Sequence, residues 1–223
     1  RSNFPSNDIE YISSGGVITG ANSYPEEWAI ASGFTRVNYG YKGKYLFTAN
    51  FRADGSSRFG PNNRWGYFPS FAAAWRASDE TFIKNIKAIN NLKLRASWGI
   101  TGNQNIGNYA SYSLYSGGNN YLGLPGFIPN VLGDKNLKWE TTKQLDIGLD
   151  LGLFNNRISL LADYYIKNTS DLLIGIPVLT QSGFLNRFTN FGEIQNKGFE
   201  FELTTQNLVG AFKWTTTLNM TFN

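Results

Sequence analysis

Residues 144 to 167 hold two consecutive alternating runs, the first of them strict, and they limit the chain's options more than any other stretch. In the first, Leu145, Ile147, Leu149, Leu151 and Leu153 fall on one side, with Gln144, Asp146, Gly148, Asp150 and Gly152 on the other. A period of two is the signature of an extended strand. Asn155 and Asn156, which tolerate positive φ, separate this run from a second. There Ile158, Leu160, Ala162, Tyr164 and Ile166 oppose Arg157, Ser159, Asp163 and Lys167. Two alternating runs around an Asn-Asn reversal predict a β-hairpin. Each arm has about eleven residues, which at about 3.3 Å each and a tilt of about 45° rise roughly 25 Å. That is the height of the apolar band on a transmembrane barrel, whereas a soluble strand is usually about half as long.

Composition narrows the alternatives. No run of about 18 apolar residues occurs, so a transmembrane helix is excluded. A mean hydropathy of -0.30 is compatible with a barrel, because half of each barrel strand is polar. The chain has no Cys and no His, which removes disulfide frameworks, thiolate nucleophiles, Ser-His triads and the usual transition-metal sites. A net charge of +4 spread along 223 residues is no nucleic-acid footprint, and no cofactor is implied. Arg1 opens the sequence without an initiator Met or signal segment, and Asn223 closes it inside an alternating run. The expectation is a piece of a longer polypeptide.

Taken in order, residues 1 to 27 read as loop, with Pro5, Gly15, Gly16, Gly20 and Pro25. Trp28 to Lys42 and Lys44 to Asp54 alternate around Gly43. A polar loop covers 55 to 64, then Trp65 to Ala77 resumes the alternation, with Pro69 predicting a bulge or strand end. Ser78 is expected to cap a single helical turn over Thr81 to Ile86. Leu92 to Thr101 makes a further strand, 102 to 137 a long segment with short strands near Tyr109 to Tyr115, and 174 to 190 a second long loop. Phe191 to Thr205 and Phe212 to Phe222 complete about eight antiparallel strands around a turn at 207 to 210. The connections alternate in kind. Gly43, Asn155-Asn156 and 207 to 210 are tight and 78 to 90 is short, while 55 to 64, 102 to 137 and 174 to 190 are long. Outer-membrane barrels sort short turns to the periplasmic side and long loops to the outside in this way.

Five segments, in order, carry a family resemblance: KYLFTANFRADGSSRFG (44–60), WGYFPSFAAAWRASDE (65–80), NLKLRASWGITGNQ (91–104), NLKWETTKQLDIGLDLGLFNNRISLLADYYIKNTSDLL (136–173) and GEIQNKGFEFEL (192–203). They resemble the SusC/RagA family of TonB-dependent outer-membrane transporters. The resemblance implies an all-β, antiparallel, up-and-down transmembrane barrel of 22 strands, of which this chain supplies about eight in one partial domain spanning 1 to 223. It also implies an N-terminal plug, absent from this sequence. A SusD-like lipoprotein lid, energy from the TonB-ExbB-ExbD complex and import of oligosaccharides or peptides follow from the same resemblance. An eight-stranded sheet in hydrocarbon must either close on itself or pair with further strands, because each unpaired backbone group there costs several kcal/mol. The rival architecture is a soluble carbohydrate-binding β-sandwich, which requires the apolar faces to meet each other.

Candidate solute contacts follow from residue type and place. Tyr112, Tyr115, Tyr121 and Trp139 lie in or beside the longest loop, where flat rings can stack on sugars or simply pack. Arg52, Asp54 and Arg58 lead into the Asp-Gly-Ser-Ser turn. Glu200 and Glu202 share one strand face about 6 to 7 Å apart, near the spacing of paired glycosidase carboxylates. With no second feature of a hydrolase, a polar barrel wall is the preferred reading of that pair. Asp146, Asp150 and Asp163 are expected to pair with Arg157 and Lys167 along the polar face.

Overall fold

The computed structural model describes residues 25 to 223, apart from the side chains of residues 118 to 121; the loop expected over 1 to 27 lies mostly outside them. Alternation becomes one long-stranded sheet. Its strands are β1 (Ile30–Tyr41), β2 (Tyr45–Ser56), β3 (Trp65–Arg76), β4 (Ile89–Asn103), β7 (Glu140–Leu153), β8 (Ile158–Ser170), β11 (Glu193–Val209) and β12 (Lys213–Phe222). They pair in the order β1-β2-β3-β4-β7-β8-β11-β12, every neighbour antiparallel. Two small hairpins interrupt the order: β5 (Leu114–Tyr121) with β6 (Leu124–Val131), and β9 (Leu173–Pro177) with β10 (Asn186–Asn190). Both sit in segments that the alternation marks as loop, because five to eight residues with Gly, Pro and Asn interspersed carry too little periodicity to register. The strand expected near 109 to 115 is displaced to 114, and 109 to 112 form a turn instead.

The sheet is open. β1 and β12 are its edges, and all their residues are exposed. Closure of these eight strands on themselves is therefore set aside. So is the sandwich, since no second large sheet covers the apolar face among the described residues. That face keeps Phe47, Phe51, Phe71, Leu94, Trp98, Ile147 and Phe199 exposed.

Register places like with like. Tyr39, Phe47, Ala73, Ala96, Ile147, Tyr164 and Phe199 are successive cross-strand neighbours on the apolar face. Leu46, Ala74, Arg95, Gly148 and Asp163 form the corresponding row on the polar face. The tight ends are built by left-handed residues. Lys42 and Gly43 have φ of 52° and 67°, and Phe154, Asn155 and Asn156 have φ of 53°, 57° and 58°, the conformation that hairpin turns require.

Two local expectations fail for physical reasons. Pro69 makes neither a bulge nor a strand end. β3 runs through it opposite Phe51, and the ladder from β3 to β4 begins only at Ser70, so β3 has a single partner where the proline sits. Ser78 caps nothing. A 3-10 turn covers Ala77–Asp79 and α1 covers Thr81–Lys84, with Glu80 at the N-cap position and no side-chain cap. The Glu80 carboxylate instead accepts from Lys44 Nζ at 2.8 Å, Tyr45 Oη at 2.8 Å and Trp75 Nε1 at 3.4 Å. It thereby ties the short-turn end of β2 to that of β3. The Lys44 hydrogen bond is the main reason that Glu80 titrates below the usual glutamate range, and Lys44 correspondingly above its own.

At the opposite end the loops build a compact nucleus. Phe59 and Leu137 are fully buried, and Phe68, Ile106, Ala110 and Trp139 are nearly so. Trp139 meets Phe59 and Phe68 at ring-centroid distances of 5.3 Å each, and its indole N–H donates to the Arg64 carbonyl at 2.9 Å. The rings lie over Gly66 and Gly102, where any Cβ would collide with the Phe68 ring.

Candidate functional site

Phe68 projects from the same face as Asp54, Arg52 and Gly66, and the loop nucleus fills the outer end of the sheet beyond Ser70 and Gly99, where the β3–β4 ladder ends, packing also against Ile100 of β4. Further along that side the wall is lined by paired charges. Arg95 on β4 donates through Nε to Asp150 Oδ1 at 2.9 Å and through Nη2 to Asp163 Oδ2 at 2.7 Å, and Lys93 reaches Asp150 at 3.3 Å. To reach β8 the guanidinium must lie flat across β7, and Gly148 makes room: a Cβ there would stand 2.5 Å from Asp163 Oδ1 and 2.6 Å from Arg95 Cζ. The polar-face glycine is thus the slot for a strap that joins three strands.

The acids of the central hairpin therefore find different partners from those expected. Asp150 and Asp163 pair with β4, and Asp146 accepts from Ser97 and Gln144. Arg157 donates to the carbonyls of Gln206 and Asn207 at the short-turn end. Lys167 forms no ion pair among the described residues. Alternation fixes which face a charge is on, but its partner depends on the neighbouring strand.

The solute candidates do not gather in one place. Arg58 and Tyr112 come together in an outer cleft of about 320 Å³, whose other walls include Trp28, Arg64, Asn108 and Tyr109. Arg58 stacks over the Trp28 ring at 4.8 Å and donates to Asn108 Oδ1 at 3.0 Å and to the Gln104 carbonyl at 3.3 Å. Trp28, Tyr109 and Tyr112 stay exposed, so the cleft offers ring faces beside guanidinium groups. Tyr109 holds φ of 66°, uncommon for a non-glycine residue. Trp28, Arg64 and Tyr109 escape the sequence analysis because they lie in three separate segments that only loop packing unites.

Arg52 and Asp54, near the end of β2 that leads to Arg58, serve each other. Arg52 Nε donates to Asp54 Oδ2 at 2.6 Å and its Nη2 to Ser32 at 3.1 Å, and Asp54 is only 5% exposed. Trp139 is 6% exposed with its ring enclosed by the nucleus, so stacking on a sugar is corrected to core packing. Tyr115 stands apart on β5, two-thirds exposed. Tyr121 ends β5, and its side chain lies outside the described residues.

Glu200 and Glu202 lie on the polar face of β11 opposite Asp163 and Leu161, with Thr221 and Asn219 across from them on β12. With Asp163 they line a shallow cleft of about 280 Å³. No cation among the described residues pairs with either glutamate.

An antiparallel sheet with one charged, strapped face, one exposed apolar face and two unpaired edges is part of the wall of a transmembrane β-barrel. Residues 2 to 223 match the family described as TonB dependent receptor-like, beta-barrel, and the chain belongs to that family. It is 44% identical to TonB-dependent receptor P39 of Formosa agariphila over 196 residues, 87% of this chain and 19% of that one. It is 39% identical to TonB-dependent receptor SusC of Bacteroides thetaiotaomicron over 211 residues, covering 90% and 21%. Among solved structures, that of the RagAB peptide transporter superposes with a TM-score of 0.83 at 32% identity, over 98% of this chain and 25% of that one. The siderophore receptor PirA from Pseudomonas aeruginosa, at 15% identity and a TM-score of 0.59, shares the fold. The chain thus spans about a fifth to a quarter of the SusC- and RagA-like relatives it matches. It is an outer-membrane protein segment of the Gram-negative type, and in the wall of such a barrel the exposed apolar face is the one suited to lipid and the charged face the one suited to the lumen.

Proposed function

We propose that the chain is the lumen wall and outer rim of a TonB-dependent importer that takes up oligosaccharides or peptides. In this reading the parent polypeptide adds strands to reach 22, together with a plug, and works with a SusD-like lipoprotein and the TonB-ExbB-ExbD complex. The observation that carries the proposal is the division of one open sheet into a lipid-wetted face and a charge-lined face, in a chain related to SusC and RagA. Such a wall performs no covalent chemistry. It presents fixed charges to a solute and keeps the barrel rigid while the plug moves.

The outer cleft is the contact best suited to a solute. Tyr112 offers a ring face, Arg58 and Arg64 offer cations, and the Arg52–Asp54 pair lies on the adjoining end of β2. Tyr115 adds an exposed ring on the β5–β6 hairpin, Tyr121 stays a candidate by its place at the end of β5, and Glu200 and Glu202 add acceptors on the polar face of β11. Trp139 supports the site through the nucleus.

The test is uptake of labelled oligosaccharides and peptides by cells carrying the intact parent. Loss of TonB should abolish uptake of one class while leaving surface binding in place. Arg58→Ala combined with Tyr112→Ala should weaken that binding at least tenfold, about 1.4 kcal/mol. Uptake that continues without TonB would refute the import proposal.

A further inference from the structure

The lipid face carries a recess that the transport reading leaves unused. Ala73 and Ala96 are cross-strand neighbours on β3 and β4, and Ala49 lies diagonally beyond them on β2. Their small side chains form the floor of a groove of about 370 Å³. Its walls are two stacked aromatic pairs. Tyr39 and Phe47 lie 6.5 Å apart with rings 26° from parallel, and Phe71 and Trp98 lie 6.2 Å apart at 14°. All four rings remain exposed. No charged side chain lines the groove, and Leu145 of β7 closes its outer corner.

Just beyond that corner stands a cation. On β7 the lipid face runs Lys143, Leu145, Ile147, Leu149, Leu151 and Leu153, so Lys143 marks the outward limit of the apolar run, one same-face step of about 6.6 Å from Leu145. Lys143 is exposed and forms no ion pair among the described residues. Lys197 marks the corresponding limit on β11, beside Ile166. Both lie toward the long-loop side, which places them at the level of outer-leaflet headgroups.

We infer that this groove holds one acyl chain of an anionic outer-leaflet lipid, whose phosphate is met by Lys143. Alanines between aromatic walls give a flexible chain a channel, where a uniformly bulky face offers only contact. The recess runs from Leu145, the same-face neighbour of Lys143, across β4, β3 and β2 to Val37 and Tyr39 of β1, a path that a tail anchored at Lys143 can enter at its Leu145 end. A basic side chain near an anionic membrane surface contributes about 1 kcal/mol, equivalent to roughly a fivefold preference for anionic over zwitterionic lipid. The inference depends on the lipid-facing assignment and not on the transported solute.

The experiment uses the intact parent polypeptide reconstituted in phosphatidylcholine vesicles containing a minor fraction of spin-labelled phosphatidylglycerol, with spin-labelled phosphatidylcholine as reference. Electron spin resonance then reads the motionally restricted, protein-bound fraction of each lipid. The unaltered protein should select phosphatidylglycerol about fivefold. Lys143→Gln should erase the selectivity while leaving the restricted phosphatidylcholine fraction unchanged. Ala96→Leu, which fills the groove, should reduce the restricted fraction of both lipids. Ala162→Leu, on the same lipid face of β8 but outside the groove, should alter neither. Selectivity that survives Lys143→Gln, or an Ala162→Leu loss equal to that of Ala96→Leu, would overturn the proposal. Resistance of the folded barrel to detergent-induced unfolding, measured on the same samples, confines the comparison to folded protein.

Discussion

The membrane-spanning sheet and the loop nucleus at its outer end are held together by opposite means. In the sheet most aromatic and aliphatic side chains of one face are exposed, and order comes from ladder hydrogen bonds, cross-strand pairs and surrounding lipid. In the nucleus, Phe59 and Leu137 reach zero exposure, and water is excluded by side chains alone. The contrast shows that one short chain uses two solvents. Hydrocarbon satisfies the apolar face without a second protein layer, while the outer loops, surrounded by water, must build a core of their own.

The largest expected effect lies in the nucleus. Phe59→Ala should cost about 3 to 5 kcal/mol in denaturant unfolding of the intact parent, because a fully buried ring leaves a cavity. The loss should fall on the outer loops first, read as faster amide exchange around Leu137 and Trp139 while exchange in β7 and β8 stays slow. Uniform acceleration across the sheet would show that the two regions are one cooperative unit.

Next comes the sheet itself. Leu149→Arg should cost roughly 2 to 4 kcal/mol in lipid refolding titrations, as a charge at mid-depth of the bilayer does. Leu149→Phe should stay within about 0.5 kcal/mol, since lipid accommodates a larger ring, whereas a close-packed core resists one by about 1 to 3 kcal/mol. If Leu149→Phe proved as damaging as Leu149→Arg, the two-solvent contrast would fail.

The smallest effect sits at the inward end. Lys44 and Tyr45 hydrogen bonds hold Glu80 below the usual glutamate range, so its folded-state pKa is depressed relative to the unfolded chain. The resulting stabilisation is present above the usual glutamate range and is lost as pH falls through the lowered folded value. The unfolding midpoints of the unaltered protein and Glu80→Gln should therefore differ at neutral pH and converge in acid. A difference independent of pH would mean that the carboxylate charge plays no part in tying β2 to β3.

Legibility in the sequence followed the same division. Period-two runs placed Leu145 to Leu153 on one face and Asp146 to Asp150 on the other, and the reversals at Gly43 and Asn155-Asn156 stand where expected. Of the β5–β6 and β9–β10 hairpins only short strands near Tyr109 to Tyr115 were expected, since strands of five to eight residues carry too little periodicity to register. Of the site candidates, the union of Arg58 with Tyr112 needed Trp28, Arg64 and Asn108 to be brought in from distant segments. The burial of Trp139 needed Phe59 and Phe68.

The sequence by itself determined the eight long strands and their two faces, because alternation and turn chemistry act between residues close in the chain. Only the tertiary structure decided that Arg95 crosses Gly148 to reach Asp163, that the sheet stays open at β1 and β12, and that alanines from three strands align into one groove. Those outcomes depend on register between strands up to 68 residues apart, as for Arg95 and Asp163, which no local pattern encodes.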